Sequence, residues 1–178
     1  MAAAYSDKYL LSRTLELSKK FNTTTFIETG AFHGETAEIV SKYFDVVYTI
    51  EIDANNYEIS NTRLSNIPNC VMHFGDSVQI LDNILNTIDG NIFLFLDAHW
   101  YKMPLRDELK IVSNKKIKPV IAIHDFFVPN EDGTSKFKYT MHDENNVLVD
   151  FNYIKNWIDD ICMESMDMIM SIVHSLIS

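Results

Sequence analysis

The chain has 178 residues, 47% of them apolar, and a formal net charge of −10, which suits a single domain over residues 1–178 able to bury roughly 70% of its unfolded surface. The acidic excess argues against a nucleic-acid partner, because affinity for a phosphate backbone comes mainly from Lys and Arg. No run approaches the ~18 apolar residues of a membrane span, the amino terminus has no apolar signal core, and Cys70 and Cys162 show neither metal nor disulfide spacing, so a reducing cytoplasm is expected.

Residues 7–21 place Tyr9, Leu10, Leu11, Leu15 and Leu17 at helical spacing and end in Lys19 and Lys20, cations suited to a helix C-terminus. The spacing predicts an opening helix that covers a sheet. Residues 25–27 read as a buried strand that turns at Gly30, through a loop closed by Gly34, into a helix reaching about residue 43. The β-branched and aromatic run 46–53 predicts a second strand ending in acid. A polar helix is expected over 54–64, a third strand over 70–74 that stops at Gly75, Asp76 and Ser77, and a helix over 77–88.

Residues 91–97 are apolar on both faces, as a central parallel strand must be. A helix over 107–112, a turn at 115–119 and a fifth strand over 120–125 follow. Residues 128–146 are polar and long for a connection, a length more typical of functional or disordered loops. Residues 151–161 form an amphipathic helical pattern, and the methionine-rich tail from residue 163 gives no clear strand. This alternation predicts an α/β chain with a Rossmann-like, open, mostly parallel sheet and helices on both faces.

In such sheets, ligands sit above the carboxyl ends of the strands. The turn after the first strand decides which ligand fits. A pyrophosphate site needs glycine two positions beyond the first, and Phe32 stands there instead of it. Glu28, Glu51, Asp76, Asp97 and the pair His124-Asp125 end the five strands, forming an acidic rim that suits a cation. Glu28 reads as a ligand contact or as a loop acid, and Glu51 as an acceptor for two ribose hydroxyls or as a solvated acid. Asp76 reads equally as a helix N-cap, with Gln79 at the capping-box position. Asp97 ends the most apolar strand, where a charge needs a partner. With Asp125 it makes a candidate pair for one hard cation such as Mg²⁺. His99 and His124 are candidate general bases, and a structural role is the alternative for each. His33 suits a solvated loop, while Trp100, Tyr101, Phe126 and Phe127 serve either as walls of an acceptor pocket or as core.

Over roughly residues 24–130 the chain resembles the class I S-adenosylmethionine-dependent methyltransferases. Glu28-Thr29-Gly30 with Gly34 resembles the acidic glycine-rich first motif, Glu51 in Ile50-Glu51-Ile52-Asp53 the ribose acid, Gly75-Asp76-Ser77 the adenine-contacting segment, and Leu96-Asp97-Ala98-His99 the fourth motif. The latter segment, followed by Ile121-Ala122-Ile123-His124-Asp125-Phe126, is most similar to the small-molecule and sugar O-methyltransferases whose LDAD and DD motifs hold Mg²⁺. His99 and His124 depart from that pattern, each standing where it has Asp. The resemblance implies S-adenosyl-L-methionine bound by Glu28, Gly30, Gly34, Glu51, Asp76, Ser77 and Asp97, with a small-molecule acceptor hydroxyl as substrate. It further implies Mg²⁺ on Asp97 and Asp125, and His99 or His124 receiving the proton.

The family sheet closes with a C-terminal antiparallel hairpin. No such pair is evident after residue 125, so the hairpin is expected to be missing or incomplete. The edge beside the fifth strand is then expected to lie open, an invitation to a homodimer. Two other readings stand beside this one: a cofactor-binding module without turnover, and a metal-dependent hydrolase built on Asp97, His99, His124 and Asp125.

Overall fold

The apolar run that follows Asn91 becomes strand β4 (Ile92–Leu96), buried at all five positions because helices cover the sheet on both sides. It occupies the middle of a computed structural model that describes residues 4–99, 102–117, 119–127, 129–130, 132–134, 141–161 and 169–171. The other strands are β1 (Thr25–Thr29), β2 (Val46–Glu51), β3 (Cys70–Phe74), β5 (Val120–Ile123) and β6 (Ile169–Ser171). They lie in the order β3-β2-β1-β4-β5-β6, and every pair of neighbours is parallel. Helices α1 (Lys8–Phe21), α2 (Glu35–Val40), α3 (Ala54–Leu64), α4 (Ser77–Thr87), α5 (Leu105–Ser113) and α6 (Phe151–Ile161) connect them. This is the Rossmann-like α/β fold.

Strand alternation divides the core into two layers. Phe26, Val47, Phe93, Phe95 and Ala122 face Tyr5, Leu10 and Leu17 before and along α1, and Ala37 and Val40 of α2. Phe26 stacks on Phe93 with ring centroids 5.6 Å apart, and the Tyr5 ring stands edge-on to Phe95 at 5.1 Å. On the opposite layer Ile27, Ile50, Leu94, Leu96, Ile121 and Ile123 pack against Leu81 of α4, Leu109 and Val112 of α5, and Ile154 of α6. The chain thus winds from β1 outward to β3, crosses over, and continues outward from β4. The winding reverses between β1 and β4, and a crevice opens there at the strands' carboxyl ends.

Strand ends are shorter than the apolar runs suggest, for a local reason. Asp53 belongs to no strand because its carboxylate caps α3, accepting from the N–H groups of Asn55 and Asn56, each at 3.0 Å. Helix α5 begins at Leu105, two residues before its expected start. A larger correction concerns the tail. Residues 169–171 form β6, which pairs in parallel with β5 in the register Ile121↔Ile169, Ala122↔Met170 and Ile123↔Ser171. The edge beside β5 is therefore covered, and the expected homodimer loses the physical basis given for it. Among the described residues there is no antiparallel C-terminal hairpin, and no helix is long and apolar enough to cross a membrane. Lys118, Val128, Cys162 and most of residues 163–178 lie outside the described residues.

Candidate functional site

At the reversal point, Gly30 takes φ +84° and Gly34 φ +76°. Between them Phe32 also sits in the left-handed region at φ +48°. Its ring turns away onto the His33 imidazole, stacked at 3.8 Å, and neither side chain lines the crevice. Four of the turn's N–H groups are already committed. Gly30 and Ala31 both donate to the Ile50 carbonyl at 3.0 and 2.9 Å, Gly34 donates to the Ala31 carbonyl at 2.8 Å, and Phe32 donates to Glu51 Oε2 at 2.7 Å. An anion-binding turn must present such groups outward. This one turns those four inward.

The crevice is a solvent-open cavity of about 230 Å³. Its wall combines Gly30, Glu51, Ile52, Asp76, Ser77 and Val78 with Ala98, His99, Lys102 and Asp107. Glu51 accepts from Phe32 N–H and also, through Oε1, from Asp53 N–H at 2.8 Å. Burial raises its carboxyl above the usual range, while the N–H donors of Asp53 and Phe32 pull it back. Ile52, the next residue, offers an apolar face that is 48% exposed. Asp76 caps α4 through a 2.8 Å bond from Val78 N–H and also lines the cavity beside Ser77.

Glu28 is corrected. It is 1% exposed and lines neither this cavity nor the smaller recess described next. It shares the Phe26 side of β1, facing the α1–α2 layer, and accepts from Thr49 Oγ1 of β2 at 2.6 Å. Burial pushes its pKa from 4.5 to about 8, against the pull of the Thr49 hydroxyl. The folded state therefore keeps a proton that the unfolded chain gives up above about pH 4.5, so stability falls as pH rises from there to about 8. Glu28→Gln removes the ionisable group. We expect it to melt above the parent at pH 9, by on the order of 2–4 kcal/mol, with a gap that closes by pH 5. Urea unfolding at the two pH values measures this.

A second cluster adjoins the cavity. Backbone pairing continues one residue past each central strand, with Asp97 N–H on the Thr29 carbonyl at 3.1 Å and His124 N–H on the Leu96 carbonyl at 3.0 Å. Asp97 and His124 thus stand side by side, His124 Nδ1 lying 2.8 Å from Asp97 Oδ1. Asp125 adopts φ +53°, and its Oδ1 lies 3.4 Å from the same nitrogen. His99 Nε2 completes the group, 3.7 Å from Asp97 Oδ1 and 3.8 Å from Asp125 Oδ2. Burial alone would lower the His124 pKa, but the charge of Asp97 and hydrogen bonds to Asp125 and Asp97 override it and hold it at about 10. The neighbouring carboxylates thus favour the protonated form of His124.

Glu108 was missed from the sequence. It lies in the first turn of α5, 1% exposed, on the stripe Leu105, Leu109 and Val112. Burial raises its pKa to about 7, partly offset by the hydroxyls of Ser77 and Thr29, although its oxygens make no hydrogen bond of standard geometry among the described residues. An acid at i+3 of an apolar helical stripe was the available signal. Phe126 belongs to the core. Phe127 lines neither cavity, and Trp100 and Tyr101 lie outside the described residues. Of the loop expected over 128–146, the described end folds back as a hairpin, with an antiparallel bridge between His142 and Leu148.

No protein-family model and no curated protein matches the sequence. Several solved structures are similar to it. The O-methyltransferase TomG from Streptomyces achromogenes, in complex with SAM, is 19% identical over 61% of this chain and 52% of its own, with a TM-score of 0.46. An O-methyltransferase from Bacillus cereus in complex with SAH is 16% identical over 59% of this chain and 52% of its own, at 0.47. CalS10, an amino pentose methyltransferase from Micromonospora echinaspora, is 12% identical over 80% of this chain and 58% of its own, at 0.48. The chain spans a little over half the length of each.

Proposed function

We propose that the chain is an S-adenosyl-L-methionine-dependent methyltransferase acting on oxygen of a small-molecule acceptor, in the cytoplasm. One observation carries the reading: the cavity at the winding reversal has carboxylates on its wall, and the N–H groups of Gly30, Ala31, Phe32 and Gly34 in its turn are bonded within the protein. A dinucleotide or nucleotide phosphate would need N–H groups of the turn that are spent inside it. A ligand that joins a ribose to a sulfonium and an ammonium group needs none.

The residues present fit that ligand. Glu51, at the end of β2, holds an acceptor toward the ribose hydroxyls. Ile52 offers its exposed face to the adenine, with Asp76 and Ser77 across the cavity. When bound, the cofactor supplies an electrophilic methyl group. Asp97 and His99 then position the acceptor hydroxyl from the adjoining cluster, and His99 takes its proton. Gly30 lets the turn pass against the end of β4, and Gly34 closes the turn onto α2. Glu28 acts from below, as a buried brace between β1 and β2, with no contact to the ligand. The acidic surface disfavours nucleic-acid acceptors.

Isothermal titration of the full chain with S-adenosylhomocysteine tests the proposal. Saturable binding with a Kd of micromolar order is expected, and no heat at millimolar ligand would overturn it. Binding without methyl transfer to any hydroxylated acceptor would favour the module that has lost turnover. The hydrolase reading uses the Asp97 cluster alone and leaves the larger cavity without a role.

A further inference from the structure

We propose that Glu108 is a buried proton carrier for methyl transfer, ionised while a sulfonium occupies the neighbouring cavity and protonated once that charge is gone. The residue is 1% exposed, and neither of its carboxyl oxygens has a hydrogen-bond partner of standard geometry among the described residues. A permanently ionised carboxylate is costly in that position. One that takes up and gives off a proton is not. Beside it stand two hydroxyls, Ser77 at the start of α4 and Thr29 at the end of β1, and Thr29 Oγ1 is likewise buried without a partner. Ser77 lines the larger cavity, whereas Glu108 lines the smaller recess at the ends of β4 and β5. That recess, about 10 Å³, has room for one water, and His99 borders both spaces. Glu108 thus stands in the partition between the cavity proposed for the cofactor and the cluster proposed to hold the acceptor.

Electrostatics couples the two spaces. Burial is the main cause that raises the Glu108 pKa to about 7, the Ser77 and Thr29 hydroxyls oppose it, and the charges of Asp76 and Asp107 raise it further. Both of those acids line the larger cavity. A negative charge on that wall is therefore felt at Glu108, and a positive charge bound in the same cavity acts with the opposite sign, favouring the carboxylate. Methyl transfer removes such a charge. The acceptor oxygen forms a bond to the methyl carbon as the carbon–sulfur bond breaks, and the electron pair of that bond stays on sulfur, leaving a neutral thioether. The proton lost by the acceptor oxygen passes by way of His99 and a water held in the recess to Glu108, whose hold on a proton has just risen. Glu108 returns it to solvent through the open cavity when the next sulfonium binds. Asp97, His99, His124 and Asp125 also face the recess, none of them hydrogen-bonded to Glu108, and Lys102 lies on the cavity wall, paired with Asp107 at 3.5 Å. These groups are the same whichever ligand is bound, so the ligand's charge and the Glu108 carboxyl can each be varied against a constant background. The proton site stands on its geometry, and its link to methyl transfer rests on the function proposed above.

Calorimetric titration of the full chain at pH 7 with S-adenosylmethionine and, separately, S-adenosylhomocysteine tests the inference. Each run is made in phosphate and in Tris, so that the dependence of the heat on buffer ionisation counts the protons exchanged. The sulfonium ligand is expected to release about 0.3 proton more per site than the thioether. Glu108→Gln, with its fold checked by circular dichroism, should abolish that difference and still bind S-adenosylhomocysteine. Infrared difference spectra of the parent chain need no variant: the C=O stretch of a protonated carboxyl should be stronger with S-adenosylhomocysteine bound than with S-adenosylmethionine. Equal proton counts for the two ligands, a difference that survives in Glu108→Gln, loss of S-adenosylhomocysteine binding in that folded variant, or identical carboxyl bands would overturn the inference and leave the methyl-transfer reading intact. Heat from neither ligand would overturn the methyl-transfer reading, and the coupling with it.

Discussion

Gly30→Ala is expected to lower stability by about 3–5 kcal/mol and to abolish S-adenosylhomocysteine binding. The φ of +84° at this position already penalises any residue with a Cβ, by about 1–2 kcal/mol. The larger cost is steric. An added methyl would lie 2.7 Å from the Asp97 carbonyl oxygen, 2.9 Å from its carbonyl carbon and 3.0 Å from Ala98 nitrogen. All three are backbone atoms, and they cannot swing aside as a side chain would. They are also held, since Asp97 N–H is bonded to Thr29 and the next strand is bonded to Leu96. Relief requires β1 and β4 to separate at the reversal point, which deforms the cavity and moves Asp97 away from His124. Gly90 provides the control, with φ +119° and nothing within 4 Å of an added Cβ. Gly90→Ala should cost only its backbone strain. Thermal melts of the two variants would refute this if Gly30→Ala lay within about 1 kcal/mol of Gly90→Ala.

The fold was legible because its signals are local and redundant. Helices 54–64 and 151–161 and strand 70–74 have the bounds that periodicity gave them, and the fully apolar run near residue 92 could only be a central strand. Strand β6 was not legible because its three residues carry no alternation that distinguishes them from the methionine-rich sequence around them. The clustering of Asp97, His99, His124 and Asp125 was legible, because charges follow apolar strands that lie side by side. It was misread at Glu28 for a reason of parity. Two residues after Phe26, it inherits the buried side of β1, and a strand-end acid faces the crevice only if its pleat turns it there. Nor does sequence reveal protonation. At His124, two carboxylates are brought to one nitrogen by backbone pairing across β4 and β5.

Glu51→Ala should show that a single carboxylate braces the turn and also forms a wall of the cavity. Its two oxygens accept from Phe32 N–H at 2.7 Å and Asp53 N–H at 2.8 Å. They thereby pin a non-glycine residue held at φ +48° and fix the entry into α3. Truncation leaves both donors without an acceptor in a region where the side chain is 3% exposed. Each such loss costs about 1–3 kcal/mol, so a destabilisation of about 2–5 kcal/mol is expected. Glu51→Gln separates the roles. Its amide keeps one acceptor oxygen and turns a donor toward the second N–H, so about half the stability loss should remain. A ribose that needs two acceptors finds one, and cofactor affinity should fall at least tenfold, equivalent to about 1.4 kcal/mol. Urea unfolding and calorimetry on the parent and both variants distinguish the outcomes. A stability loss with unchanged S-adenosylhomocysteine affinity in Glu51→Gln would confine Glu51 to the turn and leave the ribose without its proposed partner. Unchanged stability in Glu51→Ala would mean that Phe32 holds its left-handed backbone without help, and that the inward direction of the turn's N–H groups has another cause.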